Sequence, residues 1–531
     1  MQASPVKASP VKANTVRHDT APLLLGVDLG TTAIKGGLHN IDGSVVASAA
    51  AEYELLSPSP ETVEVPAATY WTAFSSVIHT LLRDSQADPG RIAAIGISAQ
   101  GETLVPVGAD GEALRNAIVW LDNRAQRESA ELDDRFGQQL TYEITGQPGM
   151  LPTWPAAKIL WLARNEPETF DRTSQFLLLE DYFLARLTGQ AACEGSLITS
   201  TCYWDFRSKQ WWPEMLDALG VDAGQLPPIV EPGAAVGSLR PAVASELGLN
   251  PGTVVCAGAL DQACGAIGVG NVRPGILSEN TGTAVALCAT LDGPRLDPQL
   301  RMPCHYHGVP ATYMFHTFTS GGLMLRWFRD EFCVTDIAAE ARTGTDAYQL
   351  IAERAAGTEP GAQGLVVLPH LQGAMAPDAN PHARGVVLGL ALHHGRDHLA
   401  RAILESVAYV IRRNIEVLEE LGIAVESIRA CGGGARSAIW KQIEADVTGR
   451  PVHVAAQTEA ATLGACILAG HGSGLFASIT EAADSMVTLA GSFEPDPGNA
   501  AVYDDSYAVY RAATEALEPI TAMRGARAAA I

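Results

Sequence analysis

Five residues near the start of the chain, Asp28-Leu29-Gly30-Thr31-Thr32, with Lys35 just behind them, have the types and spacing to hold a phosphate chain. Glycine at a tight bend lets a ligand approach the backbone. The neighbouring amides and the two threonine hydroxyls donate hydrogen bonds, and the aspartate can hold a hard cation through water. An ordinary hairpin turn would use the same residues, so this segment alone decides nothing. A shorter echo, Thr281-Gly282-Thr283, stands in the second half of the chain. A third run, Cys431-Gly432-Gly433-Gly434-Ala435-Arg436-Ser437, follows an apolar stretch and opens a helical pattern. Free helix amides and absent side chains there admit a flat or anionic ligand. Asp261 ends an apolar run and begins a series of small residues in Gly258-Ala259-Leu260-Asp261-Gln262-Ala263-Cys264-Gly265. A carboxylate so placed can take a proton from an attacking hydroxyl, or it can cap the following helix. Spacing does not separate the two.

Those residues need elements to position them. Apolar runs predict strands from Leu23, over Ala33 to Leu38, Ile92 to Ile97 and Thr253 to Ala257, with a helix over Tyr70 to Leu82. The second half restarts the theme with strands over Gly275 to Glu279 and Ala284 to Ala289, and a further strand and glycine turn at Ile428 to Gly434. Helices are expected from Ser437 to about Thr448 and from Glu459 to Ala469. The pattern is α/β, and the repeated opening hairpin suggests two related domains, 21–270 and 271–531. Residues 1–20, with near-tandem Ala-Ser-Pro-Val-Lys units, read as a mobile tail.

Composition agrees with two globular units, since 531 residues at 47% hydrophobic content exceed one core. With 36 Lys and Arg against 59 Asp and Glu, the formal charge of -23 argues against nucleic-acid or anionic-membrane partners. A polyphosphate would then need local amides or a cation. The nine cysteines contain no Cys-x-x-Cys pair, which points to reduced, buried thiols. No apolar run reaches the roughly 18 residues of a membrane span and none resembles a secretion signal, so a cytoplasmic protein is expected.

Taken together, the motifs resemble the FGGY family of carbohydrate kinases. The likeness runs from about Leu23 to about Gly470. Its most specific piece is Gly385-Val386-Val387-Leu388-Gly389-Leu390, followed after seven residues by His398-Leu399 and Ala402-Ile403-Leu404-Glu405. A second family signature is matched by Pro155, Lys158, Ile159, Trp161, Leu162, Arg164 and Asn165, and departs from it at Thr153. The resemblance implies two ribonuclease-H-like domains of the actin and hexokinase type, hinged about a central cleft. It implies ATP and Mg2+ as cofactors, with Asp28 near the metal. Thr31, Thr32 and Lys35 would lie at the phosphates, with Thr281, Gly282 and Thr283 as a second phosphate contact. Gly433, Gly434, Ala435 and Ser437 would border adenosine, and Asp261 would be the general base.

The acceptor would be read by Gln100, Gly101, Glu102, Trp120, Asp261 and Gln262. Xylulose kinases usually carry Met-His at the positions of Gly101-Glu102, whereas glycerol kinases carry Arg-Glu there and an Asp-Gln pair like Asp261-Gln262. This chain has the glutamate without the arginine, which leaves room beside the acceptor. A ketopentose such as xylulose is the expected substrate, with glycerol or another short polyol as the alternative. An actin-like ATPase and a non-catalytic sugar sensor are the readings from other classes. The partners expected are the sugar or polyol and ATP, with a homodimer left open.

Overall fold

Long apolar strands, buried on both faces, carry their polar residues at their ends, and the direction of each strand therefore decides where those residues gather. The computed structural model describes residues 20–528, so the tail expected at 1–20 lies, except for Thr20, outside the described residues.

In the first sheet, β1 (Leu23–Leu29) pairs antiparallel with β2 (Ala33–Asn40), which pairs antiparallel with β3 (Val45–Glu52). Helix α1 (Ala67–Ser85) turns Tyr70, Phe74, Val77, Ile78 and Leu81 inward, at the spacing of one helical face, and covers β2 and β3. β4 (Ile92–Ala99) runs parallel to β1. After α2 (Pro155–Asn165) and the edge strand β5 (Ala235–Ser238), β6 (Val254–Leu260) runs parallel to β4 and leads directly into α3 (Asp261–Gly268). The strand order is β5-β6-β4-β1-β2-β3.

The second sheet repeats this plan. β7 (Gly275–Thr281) and β8 (Ala284–Leu291) form its hairpin, and β9 (Cys304–Tyr306) and β10 (Tyr313–Ser320) extend it antiparallel. Helix α4 (Arg396–Glu420) precedes β11 (Val425–Gly432), which lies parallel to β7. Next come α5 (Ala438–Thr448), the parallel strand β12 (Val452–Ala455), helix α6 (Ala460–Gly472), the edge strand β13 (Leu489–Phe493) and the C-terminal helix α7 (Ala500–Ala528). The order β9-β10-β8-β7-β11-β12-β13 contains the same hairpin-plus-parallel core. This is the α/β, ribonuclease-H-like arrangement expected. The expected strands and helices are present, most of them extended by a few residues beyond the apolar runs that announced them.

One element crosses the chain order. Helix α6 lies in the chain between β12 and β13 of the second sheet but packs on β1 and β4 of the first, and on α3. Glycines make this possible at backbone distance. A Cβ on Gly26 of β1 would lie 2.0 Å from the Thr462 carbonyl oxygen, and one on Gly96 of β4 would lie 2.0 Å from that of Ala465. Between the helices, a Cβ on Gly268 would lie 1.9 Å from the Ala460 oxygen, and one on Gly464 would lie 1.9 Å from the Cys264 oxygen. Rigid backbone on the far side cannot yield to an added methyl as a flexible side chain can. Gly464→Ala is therefore expected to lower unfolding free energy by about 1–3 kcal/mol in urea titrations. Gly224→Ala, where a Cβ meets nothing within 4 Å, serves as the control and should change it by less than about 0.5 kcal/mol.

Candidate functional site

The β1–β2 turn is the first component. Asp28 is the penultimate residue of β1, directly across from Lys35 on β2 and Ser98 on β4. The Ser98 hydroxyl donates to Asp28 Oδ1 at 2.7 Å. Burial raises the Asp28 pKa to about 6, against the opposing effects of the Ser98 bond and the Lys35 charge. The Lys35 ammonium itself is held by Glu459 at 2.7 Å, just before α6. In this structure it ties the turn to α6. The Gly30 carbonyl accepts from the Tyr53 hydroxyl and, at 3.3 Å, from the Gln100 amide. The Thr31 hydroxyl accepts from the Trp120 indole at 2.8 Å, while Thr32 is exposed.

That indole bond joins the turn to the second component, the loop after β4. Gln100 is buried, with its backbone N–H on the Leu29 carbonyl at 3.1 Å and its amide nitrogen 3.3 Å from the Tyr70 hydroxyl. Its Oε1 has no partner. Gly101 is buried, and a Cβ there would lie 3.0 Å from Leu260. Glu102 adopts a left-handed backbone, φ 55°, uncommon for a residue with a side chain. The loop is pinned from below by Lys158 of α2, whose buried ammonium donates to the carbonyls of Glu102 and Val119, each at 2.9 Å. Burial lowers the Lys158 pKa to about 7, opposed by the charges of Glu102 and Asp122. The Thr103 hydroxyl receives the Trp120 N–H at 3.2 Å, so the loop and the Trp120 segment hold each other.

Asp261 opens α3 at the end of β6, with Oδ1 accepting from the Gln262 N–H at 2.7 Å. Its carboxyl is pushed up to about 8, first by burial, then by the negative charge of Asp28, with a smaller contribution from Glu102. The three carboxylates expected at the metal, acceptor and base positions therefore share one electrostatic environment. A bulge aims Asp261: the β6–β4 register slips between Cys256 and Ala259, where a Cβ on Gly258 would fall 1.5 Å from the Ile97 oxygen. Glu180 accepts from the Gly258 N–H at 2.6 Å, and the Ser196 hydroxyl accepts from the Leu260 N–H at 3.0 Å. Neither residue was singled out from sequence.

The second hairpin turn, Thr281-Gly282-Thr283, meets the glycine run. A Cβ on Gly434 would lie 2.5 Å from the Thr281 side chain, and Gly432, at φ 80°, has Asn280 2.4 Å from where its Cβ would be. Gly433 is exposed, Ala435 is half-buried, and the Ser437 hydroxyl caps α5 by accepting from the Trp440 N–H at 3.4 Å. Beneath them Glu279 accepts from the Thr281 hydroxyl and pairs with the buried Lys441 at 2.7 Å, which also pairs with Glu444. Sequence reasoning missed this triad. It also missed Gly321, Gly322 and Arg326: the Gly322 N–H bonds the Gly282 carbonyl at 3.0 Å, and the Arg326 guanidinium donates to the Thr283 hydroxyl at 2.6 Å. A glycine pair between a strand and a helix was the available signal. Gln262 is half-buried on α3, and its carbonyl approaches Cys288 Sγ of β8 at 3.9 Å, so α3 touches both sheets.

Chemically, the assembly offers donors for phosphate oxygens at two turns, a carboxylate poised near neutrality, and a polar loop beside it. Among the described residues no group of three His, Cys, Asp or Glu could hold a metal ion.

Two outcomes follow. Lys158→Met leaves two buried carbonyls without their donor, so the acceptor KM should rise about tenfold while the ATP KM stays within about twofold in steady-state kinetics. An acid whose folded pKa is raised binds its proton more tightly when folded, so it costs stability as pH rises from about 4 towards 8. Asp261→Asn should accordingly gain stability over the wild type at pH 9, keep only a small part of that advantage at pH 5 and lose it below about pH 4, read from urea midpoints.

Comparison with known proteins supplies the family. The model described as "FGGY family of carbohydrate kinases, N-terminal domain" matches residues 23–268, and its C-terminal counterpart matches residues 280–473. The xylulose kinase of Bacillus subtilis (strain 168) is 31% identical over 489 residues, covering 92% of this chain and 96% of that protein. The autoinducer-2 kinase of Klebsiella pneumoniae subsp. pneumoniae is 32% identical over 493 residues, covering 91% and 92%. The crystal structure of xylulose kinase from Rhodospirillum rubrum superposes with a TM-score of 0.85 at 28% identity, covering 94% of this chain and 99% of that one.

Proposed function

Because the chain belongs to the FGGY family of carbohydrate kinases, and so transfers a phosphoryl group from ATP to a sugar, we propose that its acceptor is a ketopentose such as xylulose and that Asp261 is the base that activates the hydroxyl. The observation that carries this reading is the shared environment of Asp261, Asp28 and Glu102. A carboxylate whose pKa lies near 8 is matched to taking up a proton at working pH, far better than one at the ordinary value.

Phosphoryl transfer is mainly alignment and charge neutralisation. In this proposal Thr31, Thr32, Thr281, Gly282 and Thr283 donate to the phosphates, with Lys35 near the first turn. Gly433, Gly434, Ala435 and Ser437 border the adenosine. Asp28 gives one oxygen to Ser98, and its hard oxygen chemistry suits Mg2+. A magnesium ion held there would supply positive charge to the phosphates. Glu102, Gln100, Trp120 and Gln262 orient the acceptor around Gly101. Asp261 receives the proton as the hydroxyl oxygen attacks. The unpartnered Gln100 Oε1 supports a polar acceptor, since a buried acceptor atom without a donor is costly until a ligand hydroxyl meets it.

The relatives named for xylulose and for autoinducer-2 support a multi-hydroxyl acceptor larger than glycerol. ADP release with magnesium-ATP, measured with D-xylulose, D-ribulose, glycerol and autoinducer-2 in turn, tests the substrate. D-Xylulose should give the highest kcat/KM, and a better result with any other member replaces it. ADP release indifferent to every acceptor would instead mark an ATPase. Asp261→Asn should lower kcat at least about a hundredfold; activity above about a tenth of wild type would remove Asp261 from the role.

A further inference from the structure

A cavity of about 490 Å³ opens between the segment 374–386, α4 and α7, with Thr319 of β10 and His370 also in its wall. None of the residues proposed above for nucleotide, metal or acceptor lines it. Its size is that of a metabolite site.

Its charge runs against that of the chain. Arg301, Arg384, Arg413 and Arg524 line it against two carboxylates, Asp378 and Glu518, although the whole chain carries a formal charge of -23. Two of the arginines are satisfied already. Arg301, with its side chain 12% exposed, pairs with Asp297 at 2.8 Å and Glu420 at 2.7 Å. Arg413, at 11%, pairs with Asp378 at 3.0 Å. Arg384 differs, because its guanidinium donates only to the carbonyls of Pro381 and Ala383, at 2.9 and 2.6 Å. Among the described residues neither Arg384 nor Arg524 has a carboxylate partner. Both are exposed, so their guanidinium forks at the edge of the cavity are open to a carboxylate or phosphate. Met375, Val410 and Leu517 supply apolar wall beside it.

We propose that this cavity is a second ligand site, taking a small molecule with a phosphate or carboxylate head met by Arg384 and an apolar body lying against Met375, Val410 and Leu517. The anion replaces water at the exposed arginines, whose charge exceeds that of Glu518, and the body displaces water from apolar wall. Both parts are needed: the head alone leaves that wall wet, and the body alone leaves Arg384 unanswered.

The full chain, saturated with ADP so that the nucleotide site is filled, is titrated calorimetrically with phenyl phosphate, phenylacetate and inorganic phosphate. At least one aryl anion should saturate with a Kd below about 1 mM, and whichever binds tighter identifies the head. Inorganic phosphate should bind at least about tenfold more weakly, a difference of about 1.4 kcal/mol. Arg384→Gln should weaken the aryl anion at least about tenfold. Thr514→Trp, which fills the cavity from α7 with every arginine kept, should do the same. The proposal is overturned if neither aryl anion saturates by about 10 mM, if inorganic phosphate binds as tightly, or if both variants bind like the wild type.

Discussion

Three carboxylates, Asp28, Glu102 and Asp261, are held in one poorly hydrated space, and much of the first half of the molecule is arranged to keep them there. Like charges brought together without a cation resist ionisation, and burial adds to the resistance. Burial raises both Asp28 and Asp261, and at Asp261 the charges of Asp28 and Glu102 add to it. The repulsion is tolerated because each group is fixed by backbone that has no other place to go. Asp28 is fixed by the β1–β4 register, Glu102 by the Lys158 anchor, and Asp261 by the bulge at Gly258. In the proposed reading, a bound cation would offset the charge on these groups.

The same economy of space governs the meeting of the two halves. Glycines at 26, 96, 268 and 464 let α6 approach β1, β4 and α3 at backbone distance. Helix α3 begins with Asp261 and also touches β8, so the helix carrying the proposed base lies between the sheets. A change in the relative position of the sheets would disturb contacts made by α3 and α6. That is a physical basis for coupling closure to catalysis in a kinase of this kind, where shutting out water protects the phosphoryl donor.

The strands and helices were legible because apolar runs and one-sided spacing are local signals, and Leu23–Leu29, Ala67–Ser85 and Ala460–Gly472 all follow them. The Asp28 turn and the glycine run at 432–434 were legible for a similar reason: their chemistry is contiguous in sequence. The support was not. Glu180 reaches Gly258 across 78 positions, Lys441 reaches Glu279 across 162, and Lys158 reaches the Glu102 carbonyl across 56. Nothing near Glu180 marks it, since buried carboxylates look in sequence like any helix-start acid. Lys35 is the reverse case. Its position after the turn suggested a phosphate contact, and only the fold reveals Glu459 as its neighbour.

If repulsion among the carboxylates is what the ligands relieve, binding magnesium-ATP at neutral pH must drive protons off. Calorimetric titration at pH 7 in two buffers of different ionisation enthalpy measures this directly. With Asp261 at about 8 in the free protein, the account predicts release of about one proton per magnesium-ATP bound, and much less from Asp261→Asn. Identical heats in both buffers, with no proton released by the wild type, would contradict it.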